Sequence, residues 1–155
     1  MIRLINNDID LLTEAYKWQF DTPKWFQETM SVWPESKDEY LENSKQEVHY
    51  GIFDGDELIS SLRCVEAAPY VMEMHWAMKR KVDFNLIFSD AQVIRDHLFA
   101  NDVKMLYGYI ASRNQSLIKF AKNLGFYDTG SRRYKGLSKN KVIEWTHIVC
   151  ENNYC

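Results

Sequence analysis

Residues 105–126, MLYGYIASRNQSLIKFAKNLGF, constrain the fold more than any other stretch of the chain. Met105, Leu106, Tyr107, Tyr109 and Ile110 make a dense apolar run broken only by Gly108. Such a run predicts a strand covered on both faces. Asn114 follows, and its side-chain oxygen can cap a helix. Leu117, Ile118, Ala121 and Leu124 recur at three- and four-residue spacing and share one helical face. Gly125 then ends the helix in a left-handed conformation that a side chain would make costly. On residue pattern alone the segment also fits a plain helix packed on a sheet, because strand, helix and glycine are a common order in α/β domains.

The remaining chain alternates strand and helix patterns. Residues 2–5 predict a short first strand. Asp8 caps a helix that carries Ile9, Leu12, Tyr16 and Phe20. Thr22 and Pro23 open a second helix, with Pro at the first helical position. Its Trp25, Phe26, Met30 and Trp33 read as core, with the wall of a substrate cleft as the alternative. Ser36-x-x-Glu39 fits a capping box ahead of a short charged helix. Residues 48–53 and 58–65 flank Asp54-Gly55 and predict a β-hairpin, with a third strand at 70–78. Residues 84–100 predict a largely buried helix from Leu86, Ile87, Phe88, Ala91, Val93, Ile94, Leu98 and Phe99. Two strands, 127–134 and 142–149, close the chain. No repeat, low-complexity stretch or linker intervenes, so residues 1–155 read as one α/β domain. The expected core is Trp18, Phe26, Ile52, Leu62, Trp76, Ile87, Val93, Leu106, Tyr109, Leu117, Ile118, Leu124 and Trp145.

The order strand, Asn, helix, Gly-Phe resembles the GNAT superfamily of N-acetyltransferases, in which N-x-x-x-x-x-x-Y-x-x-x-G-F is a frequent ending. Asn114, Gly125 and Phe126 match that spacing. The family's tyrosine, its common general acid, falls at Ala121 here. The element order of nearly the whole chain is similar to that of the family. The resemblance implies a six- to seven-stranded mixed sheet with helices on both faces, in which strands 70–78 and 105–111 splay apart. It also implies acetyl-CoA in that splay, with its pantetheine on the exposed strand edge. The diphosphate would rest on amides that open the next helix, where unpaired N–H groups and the positive dipole end favour anions. At matched positions the implied cofactor contacts are Met78, Arg80, Lys81, Val82, Asp83, Phe84, Asn85 and Asn114. The family's loop usually reads Q/R-x-x-G-x-G/A. Residues 79–85 hold no glycine, place bulk at Val82 and Phe84 and a negative charge at Asp83, and offset it with Lys79, Arg80 and Lys81. A solvated turn is the alternative reading of this loop. A looser resemblance, confined to residues 79–126, is to GNAT-like internal virion and early proteins of tailed bacteriophages. It implies a binding or structural module without catalysis.

Glu73 occupies the strand position where many GNAT enzymes place a glutamate base. Acyl transfer to an amine needs such a base, and a proton for the leaving thiolate. Glu73 and His75 are two apart in a strand and share a face, either as an acid–base pair or as an outward polar face. With alanine at position 121, Tyr127, Tyr109 or water must supply the proton; Tyr127 is carried with Glu73 as the catalytic pair. His49, His97 and His147 are isolated, and no cluster has metal-ligand spacing, so no metal is expected. Ser60-Ser61 lacks the context of a nucleophile elbow.

A net charge of −3 counts against a general nucleic-acid coat. The basic segments 79–81 and 132–141, with Tyr134 and Trp145 for stacking, keep nucleic acid as the least favoured partner. No apolar run approaches the ~18–20 residues that span a bilayer, and residues 2–4 lead directly into Asn6-Asn7-Asp8, so neither a membrane span nor a signal peptide is expected. Cys64, Cys150 and Cys155 lack metal-type spacing and read as reduced thiols. The resulting expectation is a cytoplasmic N-acyltransferase (host cytoplasm or virion if phage-encoded) that moves an acetyl group from acetyl-CoA to an amine on an unidentified acceptor or protein partner.

Overall fold

Each described helix begins on the capping residue that its sequence supplies. The computed structural model describes residues 1–20, 36–79, 81–138 and 141–153. Strand β1 (Ile2–Leu4) leads into α1 (Ile9–Phe20), where Asp8 Oδ1 accepts from Leu11 N at 3.0 Å. Helix α2 (Lys37–Asn43) starts at Ser36, whose Oγ accepts from Glu39 N at 3.1 Å. Strands β2 (Val48–Asp54), β3 (Glu57–Ala68) and β4 (Val71–Met78) form a meander, and α3 (Phe84–Ala100) follows. Then come β5 (Met105–Ala111), α4 (Gln115–Asn123), β6 (Tyr127–Ser138) and β7 (Lys141–Glu151). Asn114 Oδ1 caps α4 by accepting from Leu117 N at 3.2 Å, and Gly125 leaves it at φ 94°. The β2–β3 turn is Gly55-Asp56, one residue later than the sequence pattern placed it, because Gly55 takes the positive φ of 57°. The expected helix at Thr22-Pro23, with Trp25, Phe26, Met30 and Trp33, lies outside the described residues, as do Arg80 and Cys155.

The strands form one seven-stranded sheet in the order β1-β2-β3-β4-β5-β7-β6. All pairings are antiparallel except β4 with β5. Those two parallel strands pair only at Val71–Met105, Met72–Leu106 and Glu73–Tyr107. Beyond Glu73 they separate, while β5 stays paired to β7 from Met105 to Ala111. The expected splay is therefore present. Gly108 stands where it begins: a Cβ there would lie 3.1 Å from the Met74 carbonyl oxygen.

Helices cover both faces. Ile52, Leu62 and Leu106 pack with Ile87, Ile94 and Leu98 of α3 and with Ile118 and Phe120 of α4. On the other face Phe53 and Leu58 pack with Leu12 of α1 and Tyr40 of α2. Ile52 and Phe53 are consecutive and feed opposite layers, as strand alternation requires. Of the expected core, Ile52, Leu62, Ile87, Leu106, Ile118, Leu124 and Trp145 are buried. Trp18, Trp76, Tyr109 and Leu117 are half-buried. Val93 is 56% exposed and Leu86 is exposed as well, which corrects the reading of α3 as largely buried. Its buried stripe is Ile87, Ala91, Ile94 and Leu98, a single face at spacings of four, three and four. Strand β5 is likewise not covered evenly: Leu106, Gly108 and Ile110 are buried, whereas Met105, Tyr107, Tyr109 and Ala111 are half-buried. Among the described residues no helix is long and apolar enough to cross a membrane.

Candidate active site

Glu73 is the last β4 residue to pair with β5, and Tyr107 lies opposite it. The Tyr107 hydroxyl donates to Glu73 Oε2 at 3.1 Å. His75 Nε2 lies 3.7 Å from Glu73 Oε1 on the same strand face. Burial, and then the adjacent Glu73 carboxylate, push the Tyr107 hydroxyl up to about 12, so it keeps its proton at neutral pH. Burial, reinforced by Arg63 and His49, lowers His75 to about 3, so its imidazole is neutral. A carboxylate is thus held between a protonated phenol and a neutral imidazole at the point where the splay begins.

A second row adjoins this group. Register places His49 of β2 opposite Arg63 of β3, and Arg63 opposite His75. Glu47 Oε2 lies 3.0 Å from His49 Nε2 and 3.7 Å from Arg63 Nε. Tyr40 closes the row from α2, with its ring edge-on to His49 at 5.6 Å and the Arg63 guanidinium 5.7 Å from its centroid. Burial raises the Tyr40 hydroxyl to about 12. On the other side of Tyr107, the Tyr109 ring stacks on His147 at 4.9 Å and Arg133 lies 3.9 Å over Tyr109. His147 Nδ1 is 2.9 Å from Thr129 Oγ1. Burial, then Arg133, lowers the pKa of His147.

The two residues expected to act together are not brought together. Tyr127 pairs with Val149, Val149 with Tyr107, and Tyr107 with Glu73. Tyr127 therefore stands three strand spacings from Glu73, about 14 Å. It is 46% exposed and hydrogen-bonds Glu151. Tyr107, not singled out in the sequence, occupies the place beside the carboxylate. Ala121 is buried in the α3–α4 layer. The stacking partners expected for nucleic acid are not both available either: Trp145 is buried, and Arg132 is held by Asp128 through contacts of 2.7 and 2.8 Å.

The segment after β4 combines free and occupied amides. Lys79 N donates to Ile59 O at 3.0 Å, so alternation turns the backbone groups of Met74, Trp76 and Met78 away from β3 and toward the splay. Val82 N donates to Lys79 O, and Leu86 N to the Asp83 carbonyl. Asp83 Oδ1 accepts from Asn85 N at 2.9 Å, so the carboxylate that the sequence placed near a phosphate is the cap of α3. The amides of Lys81, Asp83 and Phe84 have no partner among the described residues. Lys81 adopts φ 69°, and Lys79 pairs with Glu57. The Phe84 ring turns inward onto Phe120 at 4.9 Å, beside Trp76 and Phe88, and so does not cover the loop.

No protein-family model matches this chain. No curated protein matches it. Solved structures do. A probable acetyltransferase from Staphylococcus epidermidis superposes with a TM-score of 0.74 at 19% identity, over 99% of each chain. A point mutant of spermidine N-acetyltransferase SpeG from Vibrio cholerae gives 0.76 at 14% identity, over 98% of this chain and 95% of that one. A GNAT-family acetyltransferase from Streptococcus pneumoniae gives 0.74 at 12%, over 97% and 98%. This chain has the GNAT fold. The fold extends over nearly its whole length, as the residue 105–126 segment led one to expect. The β4–β5 splay is the place where the sequence resemblance implied the donor, and Glu73 sits at its inner end. These likenesses to acetyltransferases lend no support to the bacteriophage resemblance or to a module without catalysis.

Proposed function

We propose that the chain is an N-acetyltransferase that uses acetyl-CoA and acetylates an amine, with Glu73 as general base. The observation that carries this reading is the Glu73–Tyr107 hydrogen bond at the point where β4 and β5 part. Structures of the same fold include a spermidine N-acetyltransferase and a ribosomal-protein-S5-alanine acetyltransferase, which supports amine acetylation as a class without choosing an acceptor.

The residues present fit the donor. The backbone edge at Met74, Trp76 and Met78 would hold its pantetheine arm, with Asn114 on the same side. The amides of Lys81, Asp83 and Phe84, with the Lys81 charge, would hold its diphosphate. When bound, acetyl-CoA supplies a thioester carbonyl open to attack by an amine. Glu73 takes the proton that the acceptor nitrogen sheds as its bond to the acetyl carbon forms. Tyr107 fixes the orientation of that carboxylate through Oε2, and its retained proton is the source nearest the base for the thiol that leaves. Neutral His75 keeps a second cation away from the attacking nitrogen.

The test is acetyl transfer from acetyl-CoA to a panel of amines by wild type and Glu73→Gln. Loss of a positioned base lowers turnover by ~10²–10⁴-fold. Affinity for CoA should be nearly unchanged, because Glu73 is not among the groups assigned to the cofactor. An unaltered rate in Glu73→Gln removes Glu73 from the mechanism. Failure of the wild type to bind acetyl-CoA at millimolar concentration, together with no transfer to any amine, overturns the proposed function.

A further inference from the structure

Arg63 is a buried cation whose hydrogen-bonding capacity is almost unused. It is 3% exposed, in the middle of β3, on the face that carries Glu73. A guanidinium has five N–H donors and cannot shed its charge. Yet among the described residues the Arg63 side chain makes no hydrogen bond, and its one ion pair is the 3.7 Å approach of Glu47 to Nε. Nε itself is fully enclosed and without a hydrogen-bond partner. The two Nη groups, equally without partners, are not among the fully enclosed atoms, so the planar fork retains some access. Burying a charge in this state is costly unless an anion completes it. Removing donors from water without replacing them costs more than the bond geometry of Glu47 returns.

From these observations we infer that Arg63 anchors a carboxylate of the acceptor, so that the amine acetylated belongs to a molecule that also bears a carboxylate, such as an amino acid. This rests on the proposed function and specifies its substrate class. The fork of a guanidinium matches a carboxylate through two parallel hydrogen bonds. The surrounding charges select a monoanion. Glu47 and Glu73 flank Arg63, while His75 and the Tyr107 phenol are neutral, so a dianionic phosphate would face two carboxylates with one cation to balance it. A polyamine would bring further cations to a site that already holds a buried guanidinium. Geometry suits a short molecule. Arg63 lies across from His75, and Glu73 is two residues along β4, which places the backbone of anchor and base about 8 Å apart. That interval suits a molecule with an acid group at one end and an amine at the other.

Calorimetry on the full chain tests this without relying on turnover. The probes are a set of free amino acids, the matching amino-acid amides, and spermidine, each titrated into wild type and Arg63→Gln. At least one amino acid should bind ten-fold or more tightly than its amide and than spermidine, and this preference should vanish in Arg63→Gln. Equal binding of acid and amide overturns the inference, as does binding of none of the amino acids. If Arg63→Gln does not fold, the acid–amide comparison on wild type alone decides. Acetyl transfer measured in parallel separates the two ideas. Transfer to amines with no preference for a carboxylate sinks the anchor and leaves the enzyme. Acid-selective binding without any transfer or CoA binding does the reverse.

Discussion

His75 shows how neighbours set the chemistry of one side chain. Its imidazole is buried and faces Arg63 and His49, and these together lower it from 6.5 to about 3. A histidine whose pKa falls on folding binds its proton better in the unfolded chain. Its contribution to stability is complete above pH 6.5 and is lost as pH falls toward 3, at about 1.4 kcal/mol per pH unit. Urea midpoints measured from pH 7 to pH 4 should therefore decline more steeply for wild type than for His75→Gln. Parallel curves would show that another group governs the acid limb. The buried thiols carry no such sensitivity near neutrality. Burial pushes Cys64 up to about 12 and raises Cys150 too, which keeps both as free, unreactive thiols. Glu73 was legible as a candidate because its strand position matched a family pattern. Tyr107 was not, since nothing local to an apolar strand says which tyrosine faces a carboxylate on another strand.

Helix α3 carries a conflict between two uses of one element. Its N-terminus is capped by Asp83, whose carboxylate takes the Asn85 amide and adds negative charge beside the Lys81, Asp83 and Phe84 amides, which have no partner among the described residues. Asn caps a helix as well as Asp, so Asp83→Asn should leave thermal stability within about 0.5 kcal/mol. Removing a charge at contact distance from a solvated anion is worth about 1 kcal/mol, so affinity for CoA should rise about five-fold. Calorimetry with CoA checks this, and an unchanged affinity would place the diphosphate away from this loop. Caps were readable at Asp8, Ser36 and Asn114 because they act within three residues. The faces of α3 were less so. Leu86 and Val93 are apolar by type, but they sit off the stripe that meets the sheet, and only docking determines which stripe is used.

The sheet as a whole draws its stability from the layer beneath β5. Leu106 is fully buried between the sheet and α3 and α4, whereas Val93 projects to solvent. Leu106→Ala should cost roughly 2–5 kcal/mol in chemical denaturation. Val93→Ala should stay within about 0.5 kcal/mol. Similar losses at both would mean that the layers are misassigned. Ala121 belongs to this same layer, which is why a tyrosine there would meet packed side chains and not an open cleft. Element order, helix starts and the strand–helix–glycine segment were legible from residues 105–126 and their neighbours, since period, capping and turn chemistry act over a few residues. Tyr107 against Glu73, Arg63 between two histidines, and Tyr127 three strands away depended on register and strand order. Those are fixed by packing between segments far apart in the sequence, and a period-2 pattern is the same whichever partner strand it meets.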